Sequence, residues 1–383
     1  MAPPPRIATL VVDDPRGVLP AIEVGSPWWM ESGPVVDAAL VAFGIEVSVV
    51  RLLDGGSFPG GPVTYLVEAP DIDPTLLDSW PHALTEDTRR PAYARVGGIQ
   101  ALVGWIDGVL GEVSAARIGA VEQVRTWNLS CLLRVSSTLG ELWLKAVPAF
   151  FDHEATVISA LGSVEPTLVP DVIAARPGAI LMRAAAGEDG HGVGPDAHFG
   201  AVRRLHQAST KLDLGAVRGV PRMGLEHVQR GLTDLFERHG GELDHGERAQ
   251  LERLIAEAGD RWRTAGSNDM ALVHGDLHGG NLRIAPEPVP TTIIDWADAS
   301  ISHPLFELAV IDSYSPEWPR TATDRWLDLL GVGRAEWAAI RPLAAIRLAI
   351  TYRAFCDQIE ATEQIYHRND IVPAIRRGLH ALD

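Results

Sequence analysis

The sequence predicts an α+β protein with a small β-rich lobe, a larger helical lobe and an additional α/β domain at the N-terminus. Three short strand-like runs lie between residues 121 and 147, and the second half of the chain carries apolar residues at helical spacing. A third observation is a polar motif at residues 274–281, followed by an apolar run that ends at Asp295. These patterns divide the chain into residues 1–115, 116–186 and 187–383.

The N-terminal part alternates between strand and helix patterns. Strands are predicted at residues 7–12, 21–24, 46–53 and 63–68, and helices at 33–43 and 100–113. The helix that runs into Gly44 is faintly similar to that of the Nudix fold, but Asp37 is its only carboxylate. A magnesium pyrophosphohydrolase needs several clustered carboxylates, so hydrolase activity is not expected. We expect a cap over the β-rich lobe, a dimerisation module or an acceptor gate, with residues 81–98 as the linker.

Charge and cysteine content exclude several classes of protein. A net charge of −17 argues against nucleic acid as a partner, because phosphate contacts need a basic surface. The two cysteines, Cys131 and Cys356, are too few for a disulfide scaffold or a four-cysteine metal site. The N-terminus has no apolar signal core and no apolar run is long enough to span a membrane. A cytoplasmic protein with no membrane partner is expected, and a homodimer stays open.

The motif His-Gly-Asp-Leu-His-Gly-Gly-Asn at residues 274–281 carries the clearest chemical signal. Asp276 is followed five residues later by Asn281, and Asp295 ends the strand-like run 291–294. Kinase-type phosphoryl transfer uses one Asp to orient and deprotonate the attacking hydroxyl, while an Asn and a second Asp hold magnesium. Turn chemistry alone would not explain this spacing together with the second Asp. The predicted roles are catalytic base for Asp276 and magnesium ligands for Asn281 and Asp295.

These residues resemble the aminoglycoside phosphotransferase superfamily, the small-molecule kinases with a protein-kinase-like fold. The family signature, His-Gly-Asp-x-His-x-x-Asn followed by Ile-Asp-Trp or Ile-Asp-Phe, is matched at residues 274–281 and 294–296. Glu307 stands where the family usually has Asp, a change that affects a structural contact more than the chemistry. The resemblance covers roughly residues 116–383. It implies a bilobal protein-kinase-like fold that uses Mg²⁺ and ATP, with GTP as the alternative donor.

Lys145 lies inside the apolar run 142–147, where an unpaired ammonium would be costly. In the kinase template this lysine contacts the nucleotide phosphates and pairs with a Glu on the next helix, for which Glu154 is the candidate. Asp152 is expected to cap that helix. The structural alternative is a lysine that reaches solvent from an edge strand. The turn before the second strand lacks the glycine-rich flap of protein kinases, and Ser130 is the predicted phosphate contact there.

Residues 178–189 look like the hinge of the family, an apolar strand that ends in Gly-Glu-Asp. The resemblance implies that adenine bonds to main-chain groups near Arg183 and Ala185, with Met182 close by. Main-chain recognition leaves little side-chain signature, so the sequence alone adds nothing further here.

The C-terminal part is helical in pattern, with helices predicted at residues 199–209, 224–238, 246–265, 324–330, 335–355 and 357–367. In the family, acceptor recognition falls on this lobe and on the loop after the magnesium-binding Asp. The acidic residues that are candidates to face a polar or cationic acceptor are Asp298, Asp312, Asp357, Glu360 and Glu363. Each of them could equally belong to a solvated helix face.

Two classes of function follow from the sequence. The first is an ATP-dependent phosphotransferase for a hydroxyl of a small molecule: an aminoglycoside-type antibiotic, an amino sugar or other sugar, or an amino alcohol. The second is a binding or regulatory protein on a kinase scaffold. The intact set of Lys145, Asp276, Asn281 and Asp295 favours the enzyme, because a binding protein does not need all four. Resemblance of fold does not choose the acceptor.

Overall fold

The computed structural model describes residues 3–56, 58–192, 194–266, 270–314 and 320–382, without the side chains of residues 311–322. Contacts between residues divide the chain into two compact units. The first comprises Met1–Asp152, Val172–Ala184 and Cys356–Tyr366, and the second His153–Asp171, Ala185–Phe355 and His367–Asp383. The predicted three-part division of the chain stays a prediction.

The first unit contains two five-stranded sheets and two helices among the residues described. Its elements are β1 (Arg6–Val12), β2 (Gly17–Val18), β3 (Ile22–Val24), α1 (Gly33–Phe43), β4 (Ser48–Gly55), β5 (Gly61–Glu68), α2 (Gly98–Glu112), β6 (Glu122–Trp127), β7 (Ser130–Ser137) and β8 (Gly140–Ala146). The helix α3 (Glu154–Val164) belongs to the second unit, and the chain then returns to the first for β9 (Val172–Arg176) and β10 (Ala179–Arg183).

The N-terminal sheet has the strand order β2-β1-β5-β4, and β3 also pairs with β1. The pairing of β1 with β5 is parallel, and that of β4 with β5 is antiparallel. The core of this sheet includes a residue from the far end of the chain, Tyr366, which is 4% exposed. Its ring makes edge contacts with Trp29 and Phe58, with centroids 6.1 and 5.6 Å away. The C-terminal segment is therefore part of the first unit's core.

The second sheet has the order β6-β7-β8-β10-β9, and all of its pairings are antiparallel. The helix α2 packs on this sheet because its apolar residues recur every three or four positions. Ile99, Leu102 and Ile106 on the helix share one hydrophobic core with Leu133 and Leu144 on the strands. The helix and the three strands at residues 121–147 were predicted, and the structure bears them out to within a few residues.

The second unit is mainly helical. After α3 its elements are β11 (Glu188–Asp189), α4 (Pro195–Ser209), β12 (Arg222–Met223), α5 (Leu225–His239), α6 (His245–Thr264), β13 (Ala271–Val273), β14 (Leu282–Ile284), β15 (Thr292–Ile293), β16 (Ser300–Ser302), α7 (Phe306–Tyr314), α8 (Arg320–Leu330), α9 (Arg334–Gln358) and α10 (Ile371–His380). The last residues of α9 belong to the first unit. Two short sheets, β11-β14-β15 and β12-β16-β13, carry the polar motif.

Two local expectations from the sequence are wrong. A helix was expected over residues 357–367, but α9 ends at Gln358 and a 3₁₀ helix follows at Ala361–Tyr366. The carboxylate of Glu363 accepts hydrogen bonds from the N–H groups of Leu52 and Asn128, and these long-range contacts fix the path of the segment. Asp152 was expected to cap α3, but the N-cap is His153, and Asp152 accepts a hydrogen bond from Gly178 instead.

No helix among the described residues combines the length and the apolar character that crossing a membrane requires.

Candidate active site

His274, the first residue of the motif, stabilises the catalytic loop through buried contacts. It is fully buried, and its ring packs against Trp296 with centroids 4.6 Å apart. Nδ1 accepts a hydrogen bond from the N–H of Asp276 at 3.2 Å, and Nε2 lies 2.9 Å from the carbonyl of Ile294. These bonds require a neutral ring with its proton on Nε2. Burial lowers the pKa of His274, which also favours the neutral ring. The histidine thus joins the catalytic loop to the strand before Asp295.

Both main-chain polar groups of Gly275 form hydrogen bonds with side chains. Its N–H donates to Oε1 of Glu307 at 2.8 Å, and its carbonyl accepts a hydrogen bond from the guanidinium of Arg347. Its φ is +86°, and a Cβ there would lie 2.4 Å from the carbonyl oxygen of Asp298. Glycine is therefore required before Asp276 by both conformation and space.

Asn281 connects the two ends of the catalytic loop. Its side-chain Nδ2 donates to the main-chain oxygen of Asp276 at 2.8 Å and lies 3.4 Å from Oδ2 of the same residue. The N–H of Ile294 donates to the carbonyl of Asn281 at 2.9 Å. The Asp276 side chain is 33% exposed, so its carboxylate stays accessible to a substrate. The five-residue spacing therefore brings a carboxylate and an amide into direct contact.

Asp295 follows β15 and has φ +63° and ψ +65°, one of two non-glycine residues with positive φ in the described chain. Such a conformation is uncommon outside glycine, and it persists where neighbouring contacts impose it. The contact comes from α3: Oε1 of Glu154 accepts a hydrogen bond from the N–H of Trp296 at 2.9 Å. On the same helix end, Nε2 of His153 donates to the carbonyl of Ala299 at 3.0 Å. Glu154 and His153 thus fix the turn that begins with Asp295.

Two residues of the second unit, Asn281 and Asp295, carry side-chain oxygens of the kind that bind magnesium. Because Nδ2 of Asn281 is engaged by Asp276, the amide oxygen is the atom left for a cation, and no described residue donates to it. Magnesium accepts one or two protein oxygen ligands when substrate phosphates supply others. Within the described residues there is no cluster of three or more His, Cys, Asp and Glu side chains that could hold a metal unaided. The donor set of Asn281 and Asp295 is consistent with an ion that arrives with a nucleotide.

The predicted nucleotide contacts lie mostly on the sheet of the first unit. Lys145 is buried in the interior strand β8, opposite Leu132 on β7 and Ile180 on β10. Because β8 is not an edge strand, the alternative that Lys145 reaches solvent from the edge of a sheet does not apply. Met182 is buried near the end of β10.

The predicted hinge falls where the chain leaves the first unit. Arg183 is the last residue of β10, and its exposed side chain donates to the carbonyl of Leu139 at 2.9 Å. The chain passes into the second unit between Ala184 and Ala185. Ala185 is half-buried. Main-chain contact of adenine with Arg183 and Ala185 stays a prediction.

Protein kinases carry a glycine-rich flap at the turn between β6 and β7. Here hydrogen bonds with another residue of the first unit hold that turn. Oε2 of Glu363 accepts a hydrogen bond from the N–H of Asn128 at 3.1 Å, and the Asn128 amide donates to the Glu363 carbonyl at 3.2 Å. Ser130 is half-buried, and its hydroxyl oxygen accepts a hydrogen bond from the indole of Trp127 at 3.1 Å. The Ser130 hydroxyl hydrogen can still donate to a phosphate.

The acidic acceptor candidates differ in their surroundings. Asp298 is half-buried in the turn after Asp295, and Asp357 is exposed near the end of α9. Glu360 is 5% exposed and is engaged by Arg90, whose Nη2 lies 2.8 Å from Oε2. The Asp312 side chain lies outside the described residues.

Two residues of the site, Arg347 and Tyr352, carry no recognisable sequence signal. Arg347 lies in the middle of α9 and holds Gly275. Tyr352 is one turn further on, and burial followed by the negative charges of Asp370 and Asp276 raises the pKa of its phenol to about 12. Arg377 lowers that pKa and Asp298 raises it, so charges of both signs act on this phenol. A cluster formed by residues so far apart in sequence appears only in the folded chain.

Fold and site together define the class of the protein. Residues 118–343 match the model of the phosphotransferase enzyme family, and the chain belongs to that family. The predicted enzyme class, a small-molecule kinase that uses an alcohol group as acceptor, is thereby confirmed. None of the curated proteins matches the chain by sequence.

Solved structures confirm the protein-kinase-like phosphotransferase fold. One is the macrolide 2′-phosphotransferase MphH from Brachybacterium faecium, with 16% identity, a TM-score of 0.53, and coverage of 71% of this chain and 97% of that chain. Another is the GDP complex of aminoglycoside 2′-phosphotransferase-IIIa, with 16% identity, a TM-score of 0.54, and coverage of 73% of this chain and 98% of that one. At this identity the likeness shows the fold alone.

Proposed function

We propose that this protein transfers the γ-phosphoryl group of ATP, or of GTP, to a hydroxyl of a small polar molecule. The observation that carries the proposal is the hydrogen-bonded arrangement of Asp276 with Asn281, tied through Ile294 to Asp295. The arrangement supports an enzyme over a binding protein, because binding alone would not need an accessible carboxylate beside two oxygen ligands. GTP stays an alternative because a structure of similar fold holds GDP.

In the proposed reaction Asp276 orients the acceptor hydroxyl and takes its proton. The oxygen then forms a bond to the γ-phosphorus while the bond to the leaving nucleoside diphosphate breaks. Magnesium, when bound, would be held by Asn281 and Asp295 and would neutralise negative charge on the phosphates. Lys145 would bind the phosphates from the first unit, with Glu154 as its predicted partner. Glu154 also keeps Asp295 in place through the N–H of Trp296.

For the acceptor we propose a hydroxylated molecule with a positive charge, such as an amino sugar, an aminoglycoside or an amino alcohol. The support is a second carboxylate residue beside the catalytic loop: the main chain of Asp298 packs against Gly275, the residue before Asp276. A cationic group near the two carboxylates would gain favourable charge interaction beside the reacting hydroxyl. The proposal leaves Glu360 in a structural role, because Arg90 already engages its carboxylate. A kanamycin complex of a protein with similar fold is consistent with this class.

The test is a panel of acceptors offered to the purified full-length protein with ATP or GTP and Mg²⁺. We expect nucleotide consumption with at least one aminoglycoside, amino sugar or amino alcohol, and phosphate on a hydroxyl of the product by mass spectrometry. The Asp295→Ala variant is the negative control. It should lose both turnover and the magnesium-dependent thermal stabilisation by nucleotide. If no nucleoside triphosphate stabilises the wild-type protein in the presence of Mg²⁺, the proposal is wrong.

A further inference from the structure

The turn between β6 and β7, which leads to the predicted phosphate contact Ser130, is buried at its tip. Asn128 is 4% exposed and Leu129 is 8% exposed. In protein kinases the corresponding turn is rich in glycine and closes over the nucleotide. Here residues 127–130 contain no glycine. A buried turn without glycine has little conformational freedom, so its shape depends on the contacts that surround it.

Glu363 joins this turn to the N-terminal sheet. Its Oε1 accepts a hydrogen bond from the N–H of Leu52 on β4 at 2.9 Å, and its Oε2 accepts one from the N–H of Asn128 at 3.1 Å. The side-chain amide of Asn128 donates to the main-chain oxygen of Glu363 at 3.2 Å. A carboxyl group as deeply buried as this one, 2% exposed, is costly unless it is hydrogen-bonded. Both of its oxygens are used to connect β4 with the turn.

Other parts of the first unit hold the two residues before the tip. The N–H of Thr126 donates to the carbonyl of Met30 at 2.9 Å. The carbonyl of Trp127 accepts a hydrogen bond from the hydroxyl of Tyr93 at 2.9 Å. The ring of Trp127 packs edge-on against Tyr366, with centroids 5.6 Å apart. The segments before α1 and before α2 and the 3₁₀ helix Ala361–Tyr366 therefore meet at this turn.

The strand that leads into the turn is also joined to the N-terminal sheet. Gln123 on β6 is 8% exposed, and its side-chain amide forms two hydrogen bonds with the main chain of Val49 on β4. Oε1 accepts from the N–H of Val49 at 2.8 Å, and Nε2 donates to its carbonyl at 2.6 Å. The amide thus takes the place of a neighbouring strand at this point of β4, and it fixes β6 to the N-terminal sheet.

The turn ends on the face of the second sheet that carries Lys145. Leu132 lies directly opposite Lys145 in the pairing of β7 with β8. Residues that are opposite each other on paired strands share a face, and so do residues two apart along one strand. Ser130 and Lys145 therefore lie on the same face. Fixing the turn fixes a hydroxyl on the face of the lysine that is proposed to bind the phosphates.

We propose that Glu363 is a positioning residue for nucleotide binding, which holds the β6–β7 turn in its nucleotide-binding conformation before the nucleotide arrives. The N-terminal sheet and the 3₁₀ helix Ala361–Tyr366 are the support of the turn. A turn that is already formed avoids the entropic cost of ordering a mobile flap on binding. The inference rests on the proposed kinase function, since Glu363 acts through Asn128 and not by contact with the nucleotide.

The test compares Glu363→Gln with Glu360→Gln in the full-length protein. Both residues are buried acids of one C-terminal segment, but Glu360 pairs with Arg90, and no hydrogen bond joins it to the turn within the described part of the chain. An amide has a single oxygen, so Glu363→Gln leaves the N–H of either Leu52 or Asn128 without an acceptor. Asn128→Ala removes the second bond to Glu363 and keeps the main-chain N–H. Glu360→Gln is therefore the matched control for a loss of stability alone.

Two measurements are made on each protein. Calorimetry gives the affinity for ATP and for GTP in the presence of Mg²⁺ and without an acceptor. Hydrogen exchange of the amides of residues 126–131 is followed with and without nucleotide, because exchange reports how often the turn opens. Steady-state kinetics with the acceptor from the panel separate the KM for nucleotide from kcat.

In the wild type we expect slow exchange of the turn without nucleotide and little additional protection when nucleotide binds. In Glu363→Gln and Asn128→Ala the turn should exchange faster, and the Kd and KM for nucleotide should rise by about five- to tenfold. The kcat at saturating nucleotide should change by less than about twofold, because the catalytic loop is intact. Glu360→Gln should keep the nucleotide affinity of the wild type.

Three results would overturn the inference while nucleotide still binds the wild type, so that the proposed function stands. The turn could gain most of its protection only when nucleotide binds. Glu363→Gln and Asn128→Ala could both bind nucleotide as the wild type does. Glu360→Gln could weaken nucleotide binding as much as Glu363→Gln. A wild type that binds no nucleoside triphosphate would contradict the proposed function itself, and the inference with it.

Discussion

The N–H of Gly275 donates a hydrogen bond to the buried carboxylate of Glu307 at 2.8 Å. The carbonyl of Gly275 is held by Arg347 on α9. Two helices distant in sequence therefore fix the residue that immediately precedes Asp276. Because the position of the catalytic carboxylate depends on these contacts, disturbing them should alter activity without removing any residue that touches the substrate.

Replacing Gly275 by alanine should damage both stability and turnover. The new Cβ would lie 2.4 Å from the carbonyl oxygen of Asp298, and the residue would have to keep φ +86°. The left-handed conformation alone costs an alanine about 1–2 kcal/mol, and relief of the clash must move the loop that carries Asp276. Urea unfolding and steady-state kinetics measure the two effects.

Gly219→Ala is the matched control for that experiment. Gly219 has φ +80°, and a Cβ there meets no atom within 4 Å. It should lose about 1 kcal/mol of stability through conformation alone and keep full turnover. Equal effects of the two substitutions on turnover would mean that the packing of Gly275 does not position Asp276.

Glu307 should make stability depend on pH. Burial is the main cause that raises the pKa of its carboxyl from 4.5 to about 7 in the folded protein. Between these two values the folded state binds more protons than the unfolded state, so this contribution to stability is complete below about pH 4.5 and is lost as pH rises to about 7.

Glu307→Gln removes the titration and keeps an oxygen to accept from Gly275. We expect the variant to gain stability relative to wild type as pH rises from 5 to 7, by about 1–3 kcal/mol in total. Urea unfolding of both proteins across this range measures the difference. A difference that is independent of pH would contradict the assignment of a raised pKa to Glu307.

Glu360→Gln should lower stability and leave acceptor kinetics alone. The substitution removes the carboxylate shared by Arg90 and Arg51, and breaking a buried pair in this way typically costs about 3–5 kcal/mol. Asp87→Asn, which breaks the more exposed pair with Arg89, is the control and should cost at most about 1 kcal/mol. A raised KM for the acceptor with unchanged stability would mean that Glu360 binds the acceptor and has no structural role.

Asp298→Asn should weaken binding of a cationic acceptor. Asp298 lies in the turn after Asp295, and its main chain packs against Gly275, the residue before Asp276. We expect the acceptor KM to rise by about tenfold while the KM for ATP stays unchanged. Asp328→Asn, an exposed carboxylate on α8, is the control. An unchanged acceptor KM in Asp298→Asn would indicate a neutral acceptor or another binding surface.

The catalytic motif could be predicted because its geometry is local. Asp276 and Asn281 are separated by one short loop, and their contact follows from that spacing. The strands around Lys145 were predictable for a similar reason, because apolar runs joined by a tight hairpin pair with their neighbours.

The remaining parts depend on contacts that no local pattern encodes. Glu363 accepts hydrogen bonds from Leu52 and Asn128, which are 311 and 235 residues away in sequence. A buried carboxylate of this kind looks like any other acidic residue of a helical segment until its partners are known. The same holds for Arg347, which belongs to no motif and contacts Gly275 only in the folded chain.

The central claim is that Asp276 is the catalytic base, and Asp276→Asn tests it most directly. The main-chain oxygen of residue 276 still accepts from Asn281, so the loop should keep its shape. Turnover of the acceptor found in the panel should fall by about 10²–10⁴-fold, because asparagine cannot take the proton. Nucleotide affinity, measured by calorimetry, should stay unchanged because Lys145, Asn281 and Asp295 are intact. Near-full turnover by Asp276→Asn would contradict the account.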